Sequence, residues 1–264
     1  MDFFGYVATA LIGLSLGMIG GGGSILTIPV LVYLFNVTPT LATSYSLFIV
    51  GCTSTIGGVK KAFEGLVDFK LSLAFAIPSF AGAYISRIFF ELIPGEMILF
   101  STVVTKDVII MIFFSVVMLI ASMTMLTGHS DDTTSEDSTR NLFVFLISGF
   151  AIGLMTGVIG IGGGFLIIPA LVMFARIPMK KAVGTSLVII AAKSIIGFAW
   201  DVQSTSGVDY LFMTIVSAVA IIGIFVGSYW SKFIGGQKLK KGFGWFILLM
   251  GVGILVMELQ KIVN

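Results

Sequence analysis

Apolar residues fill ten stretches of the chain, at about 3–19, 24–35, 41–59, 71–93, 107–127, 142–159, 165–175, 182–200, 209–234 and 243–262. Each is hydrophobic on every face rather than along a single helical stripe. That pattern predicts helices surrounded by lipid or by other helices, not amphipathic surface helices. Between the fifth and sixth runs lies "GHSDDTTSEDSTR", residues 128–140, which cannot bury enough apolar area to fold by itself. It reads as a solvated linker between a first membrane unit, residues 1–127, and a second, residues 141–264. Composition agrees: 57% of residues are hydrophobic, mean hydropathy is +1.11 and only 11% are charged, whereas a soluble domain carries about 25%. The expected class is therefore an all-α polytopic membrane protein. The first apolar run has no basic segment before it, which predicts a retained span rather than a cleaved leader.

The two units are copies. At an offset of 140 residues, "GMIGGGGSILTIPVL" (17–31) matches "GVIGIGGGFLIIPAL" (157–171), Ser46-Leu47 matches Ser186-Leu187, and Ile56-Gly57 matches Ile196-Gly197. The register then slips to 145, where "GAYISR" (82–87) matches "GSYWSK" (227–232). Internal duplication of this kind is frequent among transporters.

Five runs per copy is an odd number, so the second copy must enter the membrane inverted. With the N-terminus outside, Lys60, Lys61, Lys70, Arg140, Arg176, Lys180, Lys181, Lys232, Lys238, Lys240 and Lys241 all fall inside, and only Arg87, Lys106 and Lys261 outside. This is strong obedience to the positive-inside rule. It predicts both termini outside and a cytoplasmic linker. A scheme with four spans per copy and parallel repeats scatters the basic segments over both sides and is rejected.

The glycine blocks carry the functional expectation. The run at 24–35 would make about 18 Å of helix, well short of a hydrocarbon core about 30 Å thick. Each block thus precedes a short helix, and the pair of runs around it is either two short spans or a hairpin whose tip stops inside the bilayer. Non-helical backbone at that depth survives only against protein or a watery cavity. A helix start presents free N–H donors and about half a positive charge, so two such starts meeting near the midplane would favour an anion. The competing explanation is close helix packing at small residues, which suits Gly82/Ser86 and Gly223/Gly227 better than the blocks. The blocks are not nucleotide loops: they lack the P-loop Lys-Ser/Thr and the dinucleotide spacing.

Lys193 stands near the middle of the run 182–200, where a lysine costs on the order of 3 kcal/mol to insert and is functional by default. It lies two turns after Ser186, on the same side of a helix, and the first copy has Ser46 and Thr53 at the equivalent places. A lysine snorkelling to the surface is the alternative. The expected substrate-binding set is Gly20, Gly21, Gly22, Gly23 and Ser24 with Gly160, Gly162, Gly163 and Gly164, together with Ser46, Thr53, Ser186 and Lys193. Asp68 and Asp209 precede apolar runs as N-caps do, Asp201 is either a gate at an outer mouth or merely solvated, and Glu258 reads as interfacial. Pro29 and Pro169 are expected to bend the short helices. Cys52 is a packing residue, and His129 falls in the linker. No cluster of ligands suggests a metal or a cofactor, and no paired carboxylate or nucleophile suggests an enzyme.

These features resemble the TauE/SafE family of sulfite and sulfonate exporters. The likeness rests on "GGGGSILTIPVL" and "GIGGGFLIIPAL" with their trailing prolines, and on "ATSYSLFIV" and "VGTSLVIIAAKS", which are similar to the A-x-G-T-S-L element of that family. The first copy departs from that element, with Ser44-Tyr45 where the second has Gly184-Thr185. The resemblance implies a plasma-membrane carrier for small sulfur oxyanions or organic sulfonates. The leading expectation is a secondary transporter exporting a small anion by alternating access. An anion channel and a non-transporting membrane subunit are the alternatives. Expected partners are the anion and the bilayer, without nucleic acid, and the sequence leaves association into a homo-oligomer open.

Overall fold

The computed structural model describes residues 2–21, 24–91, 96–99, 102–127, 142–159, 164–204 and 208–263. Among the described residues, ten helices follow the ten apolar runs. In the first half they are α1 (Asp2–Ile19), α2 (Ser24–Tyr33), α3 (Pro39–Phe63), α4 (Phe69–Glu91) and α5 (Lys106–Thr127). In the second they are α6 (Leu142–Ile159), α7 (Gly164–Met173), α8 (Met179–Ser204), α9 (Tyr210–Trp230) and α10 (Gly236–Val263). One short antiparallel hairpin, β1 (Glu96–Leu99) with β2 (Thr102–Thr105), precedes α5. By length and composition, α8, α9, α10 and the stretch Phe69–Ser86 of α4 suffice to cross a membrane, and α1, α5 and α6 contain shorter apolar segments. The linker 128–140 lies outside the described residues.

The halves interlock. α4 packs on α6 and α1 on α9, while α3 packs on α8, α5 on α10 and α2 on α7. Exchanging the halves leaves this set of pairs unchanged. Small residues make the tight pairs. A Cβ at Gly13 would lie 2.0 Å from the Ala220 carbonyl oxygen, and one at Gly17 would lie 2.3 Å from that of Ile224. Likewise Gly153 abuts Ser79 and Gly157 abuts Ala83. Lipid gives helices no hydrophobic reason to associate, so such backbone approach supplies the attraction through packing. The expected close packing at Gly82 and Gly223 is present, against Phe150 and Ala10.

The same contacts fix helix directions. Contacts between α1 and α9 advance together along both chains, from 13/220 to 17/224. α3 and α9 do the same, from Tyr45/Asp209 to Lys61/Ser231, as do α4 and α8, from Asp68/Thr185 to Ser79/Lys193. α4 and α6 are also parallel. α3 and α8 oppose one another, with Leu47 beside Gly197 and Gly58 beside Val188. So α1, α3 and α9 run one way, and α4, α6 and α8 the other.

Local structure is matched between the halves as well. The turns closing α2 and α7 each place a non-glycine residue at positive φ, Asn36 at 53° and Arg176 at 50°. In each, the next N–H returns to the preceding helix, from Val37 to Leu31 and from Ile177 to Leu171. Asp68 and Asp209 are N-caps as expected. Their carboxylates accept from the Leu71 and Phe212 N–H groups at 3.1 and 3.0 Å. Each also donates its own backbone N–H to a hydroxyl of the opposite half, Thr185 and Tyr45. The unmatched pair Ser44-Tyr45/Gly184-Thr185 thus occupies equivalent junctions, with Ser44 additionally bonding the Asp201 carboxylate.

Candidate functional site

α1 stops at Ile19 because Gly20 turns to φ 77°, a conformation that costs most residues a steric penalty but not glycine. Gly20 lies against α8, where a Cβ would meet the Ser186 hydroxyl at 2.8 Å. Gly21 meets the second half head on: its Cβ would be 1.9 Å from the Gly164 carbonyl oxygen, and one at Gly164 would be 3.2 Å from Gly21 Cα. Gly21 and Gly164 therefore touch at the main chain, and only hydrogen side chains permit it. Ile190 of α8 backs Gly164. Ser24, at the start of α2, is buried and donates to the Gly21 carbonyl at 2.7 Å, so its hydroxyl holds the turn. Gly22, Gly23, Gly160, Gly162 and Gly163 lie outside the described residues.

Ser46, Thr53, Ser186 and Lys193 are all buried. Ser186 donates to the Val183 carbonyl and Thr53 to that of Ile49, one turn back in each helix. Lys193 does not snorkel. It is 7% exposed, and its ammonium donates to Ser79 Oγ of α4 at 2.9 Å and to Thr156 Oγ1 of α6 at 3.0 Å. Its bonds therefore do not go to Ser46 or Thr53. Both acceptors are neutral, so the cation sits in the bundle, one turn along α8 from Ile190, without a carboxylate among the described residues to balance it. The ammonium has three N–H groups, and two are occupied by these hydroxyls.

The repeat places Thr53 where Lys193 stands, Leu16 where Thr156 stands and Ile224 where Ser79 stands. Thr53, Leu16 and Ile224 are fully buried. Residues of both halves thus place a cation with two hydroxyls at a position whose repeat equivalent is an apolar contact around a single threonine.

Charged groups gather at one end. Glu64, just after α3, bridges Lys232 at 2.9 Å and the buried Lys61 at 3.1 Å, while Asp68 pairs with Lys181 at 3.6 Å. Lys61 also donates to Ser231 and Lys180 to the Lys232 carbonyl. Burial alone would raise the Glu64 pKa. Hydrogen bonds from Lys232 and Lys61 outweigh it and hold the carboxyl below its ordinary value. The opposite end is aromatic, with Tyr6, Phe35, Phe212 and Tyr45 forming a continuous stack.

A model of the sulfite exporter TauE/SafE family matches residues 6–254, nearly the whole chain. The chain belongs to that family. Among its relatives, a probable membrane transporter protein of Xylella fastidiosa is 32% identical over 70% of this chain and 68% of its own length. The probable membrane transporter protein YdhB of Bacillus subtilis is 26% identical over 86% of each chain. A probable membrane transporter protein of Haemophilus influenzae is 27% identical over 94% of this chain and 95% of its own. No solved structure matches. As a TauE/SafE protein this chain is a membrane transporter and not an enzyme.

Sequence reasoning found the lysine of this TauE/SafE chain but missed the two hydroxyls that hold it. Ser79 and Thr156 lie 114 and 37 residues away, in helices whose polar residues look incidental. One available signal was that Ser79 and Thr156 each lie a turn or less from a glycine of the small-residue seam, Gly82 and Gly157.

Proposed function

We propose that the chain is a secondary transporter that exports a small anion, sulfite or an organosulfonate, from the plasma membrane by alternating access. One observation carries the reading: a buried lysine that, among the described residues, bonds neutral hydroxyls, one helical turn from Ile190, which backs the Gly21–Gly164 contact. A lysine so placed prefers an anion to complete its neutralisation, because a lone buried charge is costly. The contact of Gly21 with Gly164 brings the two glycine blocks together, which supports a site shared by the starts of α2 and α7.

Helix directions support inversion of the repeats. α1 opposes α6, α3 opposes α8 and α4 opposes α9, as two copies related by an axis in the membrane plane would. The charged end, with Lys61, Lys180, Lys181 and Lys232, is assigned to the cytoplasm by the positive-inside rule. Both termini then lie outside and the 128–140 linker inside. Rocking of the halves would open the charged end and the aromatic end in turn. Export needs no coupled ion: a negative interior drives one negative charge outward by about 2.3 kcal/mol per 100 mV.

The test is purified protein in sealed vesicles loaded with sulfite, with a potential imposed by a potassium gradient. Efflux that saturates with sulfite and quickens when the interior is negative supports the reading. A folded protein that moves no sulfite or sulfonate, or that conducts at channel rates, overturns it.

A further inference from the structure

Hydroxyls in apolar helices normally return to a carbonyl one turn back. Thr9, Ser72, Ser115, Ser122 and Ser148 do so here. Four buried serine hydroxyls, those of Ser54, Ser194, Ser217 and Ser228, have no hydrogen-bond partner among the described residues. Of these, Ser54 and Ser194 are at 0% exposure and are the two that the repeat relates. Under the 140-residue repeat they are the same position, 54 and 194. Each follows a residue already placed at the site, Thr53 and Lys193.

Their location relates them to one another. Ser54 lies on α3 and Ser194 on α8, the long helices that cross antiparallel at the centre of the bundle. Ser194 faces that crossing, since its Cβ would be 3.4 Å from a Cβ at Gly51, one turn from Ser54. At about 100° per residue, Ser194 lies between the α3-facing side of its helix and the side that carries Ser186 and Ile190, which touch the glycine breaks. An unpaired hydroxyl sealed from water is unfavourable. Here the same exception occurs in both halves, at positions that a two-fold axis through the α3–α8 crossing would superpose.

We propose that Ser54 and Ser194 are paired donors to a cargo oxyanion held at this crossing, each hydroxyl giving its hydrogen bond to a different oxygen of one anion while Lys193 supplies the charge. The class of ligand follows from the donor set: an acceptor-rich anion with at least two oxygens on one centre, as in sulfite or a sulfonate. A single-atom anion cannot span two opposed donors equally well. This inference rests on the transport reading and adds its recognition chemistry.

The experiment uses Ser54→Ala, Ser194→Ala and the double variant, with sulfite as the probe. Sulfite flux is measured in vesicles, and the melting midpoint is measured in detergent with and without sulfite. The expected result is a KM for sulfite raised roughly tenfold by each substitution and more by both, with sulfite's protection against melting lost. Without sulfite, the midpoint should be unchanged or higher, because each variant removes an unpaired polar group. Variants with wild-type KM and wild-type protection overturn the proposal while leaving transport intact. A folded wild-type protein that neither moves nor binds sulfite or a sulfonate overturns the transport reading and this inference with it.

Discussion

Replacing Gly21 with alanine tests whether the two breaks meet. The added Cβ would lie 1.9 Å from the Gly164 carbonyl oxygen and 2.2 Å from its carbonyl carbon. Tight but tolerable contact begins near 3.2 Å, so one backbone must move by about 1.3 Å. A flexible side chain could absorb that displacement, but this obstacle is main chain, and Ile190 stands behind it. Overpacking of a tight site costs about 1–3 kcal/mol, and a backbone obstacle puts this case near 3. That corresponds to a loss of about 100-fold in the folded-to-unfolded ratio. Gly253→Ala is the control: it lies in α10 with nothing within 4 Å, so alanine should be neutral or should help the helix by up to about 1 kcal/mol. The assays are the detergent melting midpoint and sulfite flux in vesicles, both run on the two variants. Gly21→Ala should melt well below Gly253→Ala and transport poorly. If it melts and transports like wild type, the breaks do not touch and the shared pocket is lost.

Lys193→Met keeps the stem and removes the charge. It should fold at least as well as wild type, since a buried cation is replaced by an apolar chain, yet lose sulfite flux; normal flux would remove Lys193 from the site. Glu64→Gln leaves the buried Lys61 without a carboxylate and should cost about 2 kcal/mol, less than the 3–5 of a fully buried pair because Glu64 and Lys232 are partly exposed. Because the folded-state pKa of Glu64 is depressed, its contribution is complete above the ordinary carboxylate pKa and disappears as pH falls through the lower, folded value. Melting from pH 7 down to 3 should therefore show an acid loss in wild type that Glu64→Gln lacks. Cysteines placed singly at 60 and 180, with Cys52 replaced, should react with an impermeant thiol reagent from the same side of the membrane. Reaction from opposite sides would refute the inverted arrangement.

The helices were legible because lipid-buried segments need continuous apolar character, and every run became a helix with ends displaced by a few residues. The meeting of Gly21 with Gly164 was legible because two glycine blocks in duplicate leave few other roles. The hairpin at 96–105 was not, since four-residue strands carry no period long enough to stand out beside flanking helices. Pro78, inside α4, was passed over because nothing local separates a tolerated membrane proline from a helix end. The partners of Lys193 were invisible for a different reason. A sequence reports that a buried lysine needs acceptors, but only the packing of α4 and α6 on α8 decides which hydroxyls supply them. Ser54 and Ser194 were readable as repeat partners, yet their lack of acceptors exists only in three dimensions.

The backbone of the two halves is matched more closely than their chemistry is. Asn36 and Arg176 adopt the same φ, and Asp68 and Asp209 cap the same helices and reach the same opposite junctions. Ser54 and Ser194 are both left unpaired. Yet Lys193 with Ser79 and Thr156 faces an equivalent place built from Thr53, Ile224 and Leu16. On the proposed alternating-access reading, two matched halves would give two states of similar energy, because exchanging their roles yields the opposite opening. The charge then decides what the frame carries. Lys193 is the single lysine at this place, and its bonds run to α4 and α6 rather than to α1 and α9; on the proposed reading its one positive charge receives one anion. Any motion of α8 relative to the α4–α6 pair must stretch those two hydrogen bonds. If the proposed anion takes over part of their role, it lowers the cost of that motion, and the proposal therefore ties occupancy of the site to movement of the halves.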